Sequence, residues 1–110
     1  VKVPEKVWPL RIWYMYDQDV CTLIDVNERE RKVKIKNYTD KIMFRAFGVM
    51  EEPDYNQYIE FLESRCFPES RDKMKLILKD LGLPFYDPIM IIEKTEGRMA
   101  EDDFWIRIER

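Results

Sequence analysis

The chain reads as an α+β domain: an N-terminal three-stranded antiparallel meander, three to four short helices, and a C-terminal strand that returns to the sheet. Three observations predict it. Strand-like runs crowd residues 10–36, with connections too short for anything but antiparallel pairing. Helix start and stop residues punctuate the stretch from 39 to 97. An alternating aromatic run, FWIRI at 104–108, closes the chain.

The elements follow in order. LRIWYMY at 10–16 is aromatic-rich and ends in the turn residues Asp17, Gln18 and Asp19, which marks a strand and a reversal. Residues 20–26, VCTLIDV, supply the second strand. After a polar turn at 27–30, residues 31–36 alternate: Val33 and Ile35 on one face, Lys32, Lys34 and Lys36 on the other. That period of two describes a strand with one face in water. Thr39 or Asp40 offers an N-cap for a short helix reaching Phe47, with Gly48 to stop it. Asp54 and Gln57 stand at capping-box spacing, and Tyr55, Tyr58, Ile59 and Leu62 form the buried stripe of the helix they open. A third helix is expected from about Glu69 to Leu81, with Met74, Ile77, Leu78 and Leu81 inward and Gly82 as its stop. Asp87 as N-cap and Pro88 at the first helical position start a fourth, which Gly97 ends.

Composition bounds the function. One hundred and ten residues amount to one domain, and 45% apolar with 37% charged residues describes a folded chain rather than a disordered one. No stretch approaches the roughly eighteen apolar residues of a membrane span, and the first residues lack a signal-peptide apolar region. The expected setting is cytoplasmic and off the membrane. Residues 1–50 carry ten basic and seven acidic side chains, residues 51–110 nine basic and fifteen acidic. Neither half has the charge density of a domain built to neutralise phosphates. Cys21 and Cys66 are the only cysteines and read as reduced, semi-buried thiols. With no histidine, the chain lacks the commonest general base and metal ligand, which excludes Ser-His-Asp and Cys-His sites within it.

Four constellations remain. Arg31, Lys32, Lys34 and Lys36, with Arg29 nearby, form a basic strand face that either keeps an edge soluble or meets nucleic acid. Trp8, Trp13, Tyr14, Tyr16 and Tyr38 beside it could stack bases, although cross-strand packing explains them as well. Glu101, Asp102 and Asp103 are the tightest carboxylate cluster, read first as an acidic turn and second as ligands of a metal-dependent enzyme. Around the Cys66, Phe67, Pro68 junction, Glu60, Glu63, Arg65, Glu69, Arg71 and Asp72 form either a surface ion-pair network or a recognition patch. Arg65 beside Cys66 is also a means of lowering that thiol's pKa. No phosphate-binding loop or dinucleotide fingerprint is present.

The segment RCFPESRDKMKLILKDLGL, followed by IMIIEKTEGRMAEDDFWIRI, resembles a pattern in leader segments of HipA-like kinase loci and in uncharacterised proteins of conjugative elements. Arg65, Pro68, Arg71, Lys94, Gly97, Asp103, Phe104, Trp105 and Ile106 carry the match, which covers residues 61–108. The chain departs from it in having EGRMAE where the pattern shows GLSLS. The resemblance implies a bacterial accessory or mobile-element protein that binds another macromolecule; it transfers no catalytic residue. The functional expectation is a non-catalytic protein, without cofactor or metal, that regulates or inhibits a partner protein in the manner of an antitoxin or an anti-CRISPR inhibitor. Arg65, Phe67, Glu69 and Arg71, with Glu101, Asp102 and Asp103, are expected to dock that partner. The alternatives are a nucleic-acid module using the lysine face and a carboxylate metalloenzyme.

Overall fold

Connections of two and four residues fold the first three strands onto one another. Asp17 (φ 52°) and Arg31 (φ 55°) take the left-handed backbone these reversals require. The computed structural model, which describes residues 2–110, has β1 (Leu10–Tyr16), β2 (Asp19–Asn27), β3 (Lys32–Asn37), a 3₁₀ turn (Ile42–Phe44), α1 (Tyr55–Ser64), α2 (Met74–Leu81), α3 (Pro88–Thr95) and β4 (Phe104–Glu109). The strands form one antiparallel sheet in the order β3-β2-β1-β4. The meander and the returning strand are therefore those the sequence predicts, in an α+β fold.

One face of the sheet carries the helices. Leu10, Ile12 and Tyr14 of β1, Ile24 and Val26 of β2 and Ile106 of β4 are buried against Tyr58, Phe61 and Leu62 of α1 and against Ile89 and Ile92 of α3. Removing this apolar surface from water is the main drive to the fold. A smaller cluster joins Leu78 of α2, Leu83 and Ile91 of α3, with Phe67, Met74 and Tyr86 packed against it. Strand alternation sends Arg11, Trp13, Met15, Leu23, Asp25, Lys34, Lys36, Trp105, Arg107 and Glu109 to the opposite face. Residues 2–9 cross that face. Arg11 Nη1 donates to Pro4 O at 2.8 Å, and Tyr38 Oη donates to Lys2 O at 3.1 Å. Beneath them Leu23 is only 1% exposed, and buried Arg11 grips Asp25 with two hydrogen bonds of 2.7 and 3.1 Å. At the other edge, Ile106 N donates to Glu96 O, so the end of α3 occupies the open side of β4.

The helix caps follow sequence chemistry closely. Asp54 Oδ1 accepts from Gln57 N and Gln57 Oε1 from Asp54 N, both at 2.8 Å, completing the capping box. Asp87 Oδ1 accepts from Ile89 N, with Pro88 in the first turn. Gly82 ends α2 in the left-handed conformation, and Leu83 N returns to Leu78 O at 2.8 Å.

Three expectations are corrected. The helix expected from residue 39 or 40 to 47 is only the turn Ile42–Phe44. Here Thr39 Oγ1 accepts from Lys41 N, Arg45 Nε donates to Thr39 O and Ala46 N donates to Thr22 Oγ1, so side-chain bonds replace a helical ladder. α2 starts at Met74, not Glu69, because no side chain caps it and residues 69–73 are exposed, with nothing apolar to bury. α3 ends one residue early, with Glu96 (φ 59°) already left-handed before Gly97.

Candidate functional site

The site is organised by a side chain that faces inward. Arg65 follows the last turn of α1, and its guanidinium turns under the 97–104 turn instead of into water. Nε donates to Gly97 O at 3.0 Å, Nη1 to Asp102 Oδ2 at 3.0 Å, and Nη2 to Asp102 Oδ1 at 3.1 Å and Phe104 O at 3.0 Å. A planar fork matched to a carboxylate and two carbonyls satisfies the buried charge. Asp102 Oδ1 also accepts from Phe104 N, closing the turn into β4. The Arg65 hydrogen bonds, ahead of that backbone bond, hold the Asp102 carboxyl below the usual carboxylate range. Gly97 must be left-handed (φ 62°), and a Cβ there would meet Ile106 Cδ1 at 3.1 Å.

This brace brings the α1–α2 connector alongside residues 98–101 and leaves a cleft of about 350 Å³ between them. Phe67 and Arg71 line one wall, Arg98, Met99 and Glu101 the other, and Ile91 the floor. Ile91 is fully buried, Phe67 half-buried and Met99 36% exposed, so the interior is apolar and the rim charged. Arg71 lies 5.8 Å over the Phe67 ring and, among the described residues, forms no ion pair. Arg98 Nε donates to Glu96 Oε1 at 3.0 Å, and its guanidinium sits 5.1 Å over Trp105.

Cys66 also lines the cleft, and the lowering of its pKa that an adjacent arginine would allow does not occur. Burial, reinforced by Glu63 and Asp87, pushes the thiol up to about 12, and Sγ donates to Pro88 O. Arg65 has turned away to Asp102, so no cation offsets these effects. The expected ion-pair network around Cys66 is absent among the described residues: of Glu60, Glu63, Arg65, Glu69, Arg71 and Asp72, only Arg65 is paired, and with Asp102.

Of the residues expected to dock a partner, Phe67, Arg71 and Glu101 meet in the cleft with Arg65 behind them. Glu69 is exposed on the same connector but outside the lining. Asp102 is engaged by Arg65, and Asp103 lines a smaller polar pocket with Asp17 and Trp105. The basic face also divides. Arg31 sits 4.6 Å over Tyr55 on α1, and Lys32 pairs with Glu30 at 3.4 Å. Lys34 and Lys36 stay on the helix-free face, over Trp8 and Tyr38. Tyr14 and Tyr16 belong to the core, against Phe61, Phe104 and Phe44. The sequence reading did not single out Arg98, Met99 or Ile91; the available signal was one methionine in the polar run after Gly97.

Comparison with protein families, curated proteins and solved structures finds no match. Among the described residues no helix is long and apolar enough to cross a membrane, and no group of three or more Asp, Glu or Cys side chains is placed to hold a metal ion.

Proposed function

We propose that this chain is a non-catalytic binding protein that regulates or inhibits a partner protein, and that an apolar side chain of the partner seats in the cleft between the α1–α2 connector and residues 98–101. The setting that goes with this reading is a bacterial accessory or mobile-element protein, antitoxin-like or an inhibitor of host defence. The observation that carries it is the convergence of two distant segments on an apolar pocket, one of whose walls presents Arg71 without a carboxylate partner. An aromatic ring and an arginine on a rigid frame have the composition of an interface hot spot. Arg71 selects a partner with a carboxylate beside its apolar anchor. The cleft offers little to a reaction: its thiol is protonated at neutral pH, and Glu101 is the single carboxylate in its lining.

The test is quantitative affinity capture of tagged protein in bacterial extract, with wild type, Arg71→Glu and Lys34→Glu compared by mass spectrometry. A protein retained by wild type and Lys34→Glu, but reduced about 30-fold with Arg71→Glu, is the expected result; that factor matches a hot spot of about 2 kcal/mol. Melting temperatures of all three should agree, since both positions are exposed. Undiminished capture by Arg71→Glu refutes the cleft as the docking site.

A further inference from the structure

All three tryptophans of the chain lie on the side of the sheet that carries no helices, and each has a cation over its ring. Lys34 Nζ is 4.8 Å from the Trp8 centroid, and the guanidinium of Arg107 is 5.1 Å from that of Trp13. Arg98 caps Trp105 at 5.1 Å. The helix-facing side is built instead from Ile, Leu, Phe and Tyr. The indoles are half-buried rather than sealed, and two are fixed in orientation: Trp13 Nε1 donates to Glu109 Oε1 at 3.0 Å, and Trp105 Nε1 to Asp17 O at 2.7 Å. In the β1–β4 register Trp13 opposes Arg107 and Met15 opposes Trp105, so the two residues are diagonal neighbours with backbones about 7–8 Å apart, their indole nitrogens reaching in opposite directions, toward Glu109 and Asp17.

We propose that this face binds single-stranded nucleic acid, stacking bases on Trp13 and Trp105, with Trp8 at the margin, and taking phosphates on Lys34, Lys36 and Arg107. Every base has a π-face, so indoles at neighbouring positions hold successive unstacked bases without regard to sequence. Arginine planes over such rings extend the stack. The basic charge lies on the β3 side of the face and at Arg107. Arg11 neutralises Asp25, and Glu30 pairs with Lys32, leaving Lys34, Lys36 and Arg107 against Glu109, while Asp17 and Asp103 flank Trp105 at the far end. Rings fixed in advance lose little freedom on binding. An acidic protein segment would satisfy the lysines but make no use of the oriented indole faces, so nucleic acid is the occupant the geometry favours. This surface adjoins the proposed partner cleft at Arg98, which lines the cleft and caps Trp105, and differs from it in chemistry.

The test titrates the intact chain into a fluorescein-labelled oligothymidylate of about twelve nucleotides, within the range of one small binding fold. The expected result is saturable anisotropy with quenching of tryptophan emission. Three phosphate contacts on a single strand imply a fall in affinity of about 15–20-fold when salt rises fourfold, from about 50 to 200 mM. Trp13→Ala and Trp105→Ala are each expected to weaken binding about tenfold. The double variant Lys34→Glu/Lys36→Glu, on exposed positions that do not carry the fold, should weaken it further and reduce the salt dependence; Arg71→Glu should leave it unchanged. Absence of saturable binding at the lower salt overturns the proposal. So does binding that survives the double lysine variant, or equal affinity for a poly-glutamate peptide, which would make the face a reader of acidic protein.

Discussion

Arg65 is 8% exposed yet charged, and burial on that scale is tolerated only because Asp102, Gly97 O and Phe104 O take its donors. Replacing it with Met keeps the volume but strands a carboxylate and two carbonyls. We expect Arg65→Met to lose about 2–4 kcal/mol, or roughly 10 °C in melting temperature for a chain of this size, measured by thermal circular dichroism. Arg71→Met, on the exposed connector, should stay within about 0.5 kcal/mol of wild type. The same pair sets a pH dependence. The folded carboxyl of Asp102 lies below its unfolded value of about 4, so its contribution is complete above that pH and lost as pH falls through the folded value. Melting temperature should therefore drop as pH is lowered below about 4, and Asp102→Asn should start lower and show a shallower drop; an unchanged acid limb in that variant would remove Asp102 from the account. Sequence placed Arg65 correctly on a connector between helices, but not its direction. The groups that turn it inward lie 32 to 39 residues away, and nothing local to RCFPE encodes them. The thiol of Cys66 obeys the same rule, since the neighbouring cation in sequence is not its neighbour in space.

Elements were legible where their signals are local. β1 to β4 and the caps of α1 and α3 could be read because alternation, a capping box and an Asp-Pro start act over a few residues. The start of α2 was not, because its apolar stripe begins at Met74 while the polar residues before it are compatible with helix but gain nothing from forming one. The end of α3 shows how a tertiary contact decides a boundary. Glu96 leaves the helix so that its carbonyl can accept from Ile106 N, and Gly97 then places its own carbonyl over Arg65. Gly97→Ala would add a methyl in a left-handed backbone and press it to 3.1 Å from Ile106 Cδ1. We expect a loss of about 1–3 kcal/mol from strain and crowding combined, seen as a lower midpoint in urea with an unchanged slope. Gly82→Ala is the informative comparison: it is also left-handed (φ 75°) but has open space around the added methyl, so it should lose only about 1 kcal/mol. Equal losses at the two glycines would mean that the contact with Ile106 contributes nothing.

At the scale of the molecule, stability is divided unequally between the two apolar clusters. The larger spans all four strands, α1 and α3, and Ile12, Ile24 and Ile92 within it have no exposure. The smaller holds α2, which buries only Leu78, leaves Leu76 58% exposed and is preceded by Lys73 in a left-handed backbone without a side-chain cap. Beyond Leu83 and Ile91, the Tyr86 Oη bond to Phe67 O ties the connector before α2 to the segment before α3. An element with so little buried surface opens at a free energy below that of global unfolding, whereas β1 and β2 exchange only when the sheet comes apart. Native-state hydrogen exchange should therefore find the amides of the last turn of α2 at least tenfold less protected than those of Ile12 and Ile24. Equal protection would mean that α2 is part of the global unit. The opening bears on function because Phe67 and Arg71, one wall of the cleft, lie on the connector that leads into α2. A partner seated between that wall and Met99 has to hold the connector in place, so it should slow exchange in α2 while leaving β3 unchanged. A ligand on the tryptophan face should do the opposite, raising protection along β3 and β4 with no effect on α2. One exchange experiment, run with each ligand in turn, thus reads the two surfaces independently.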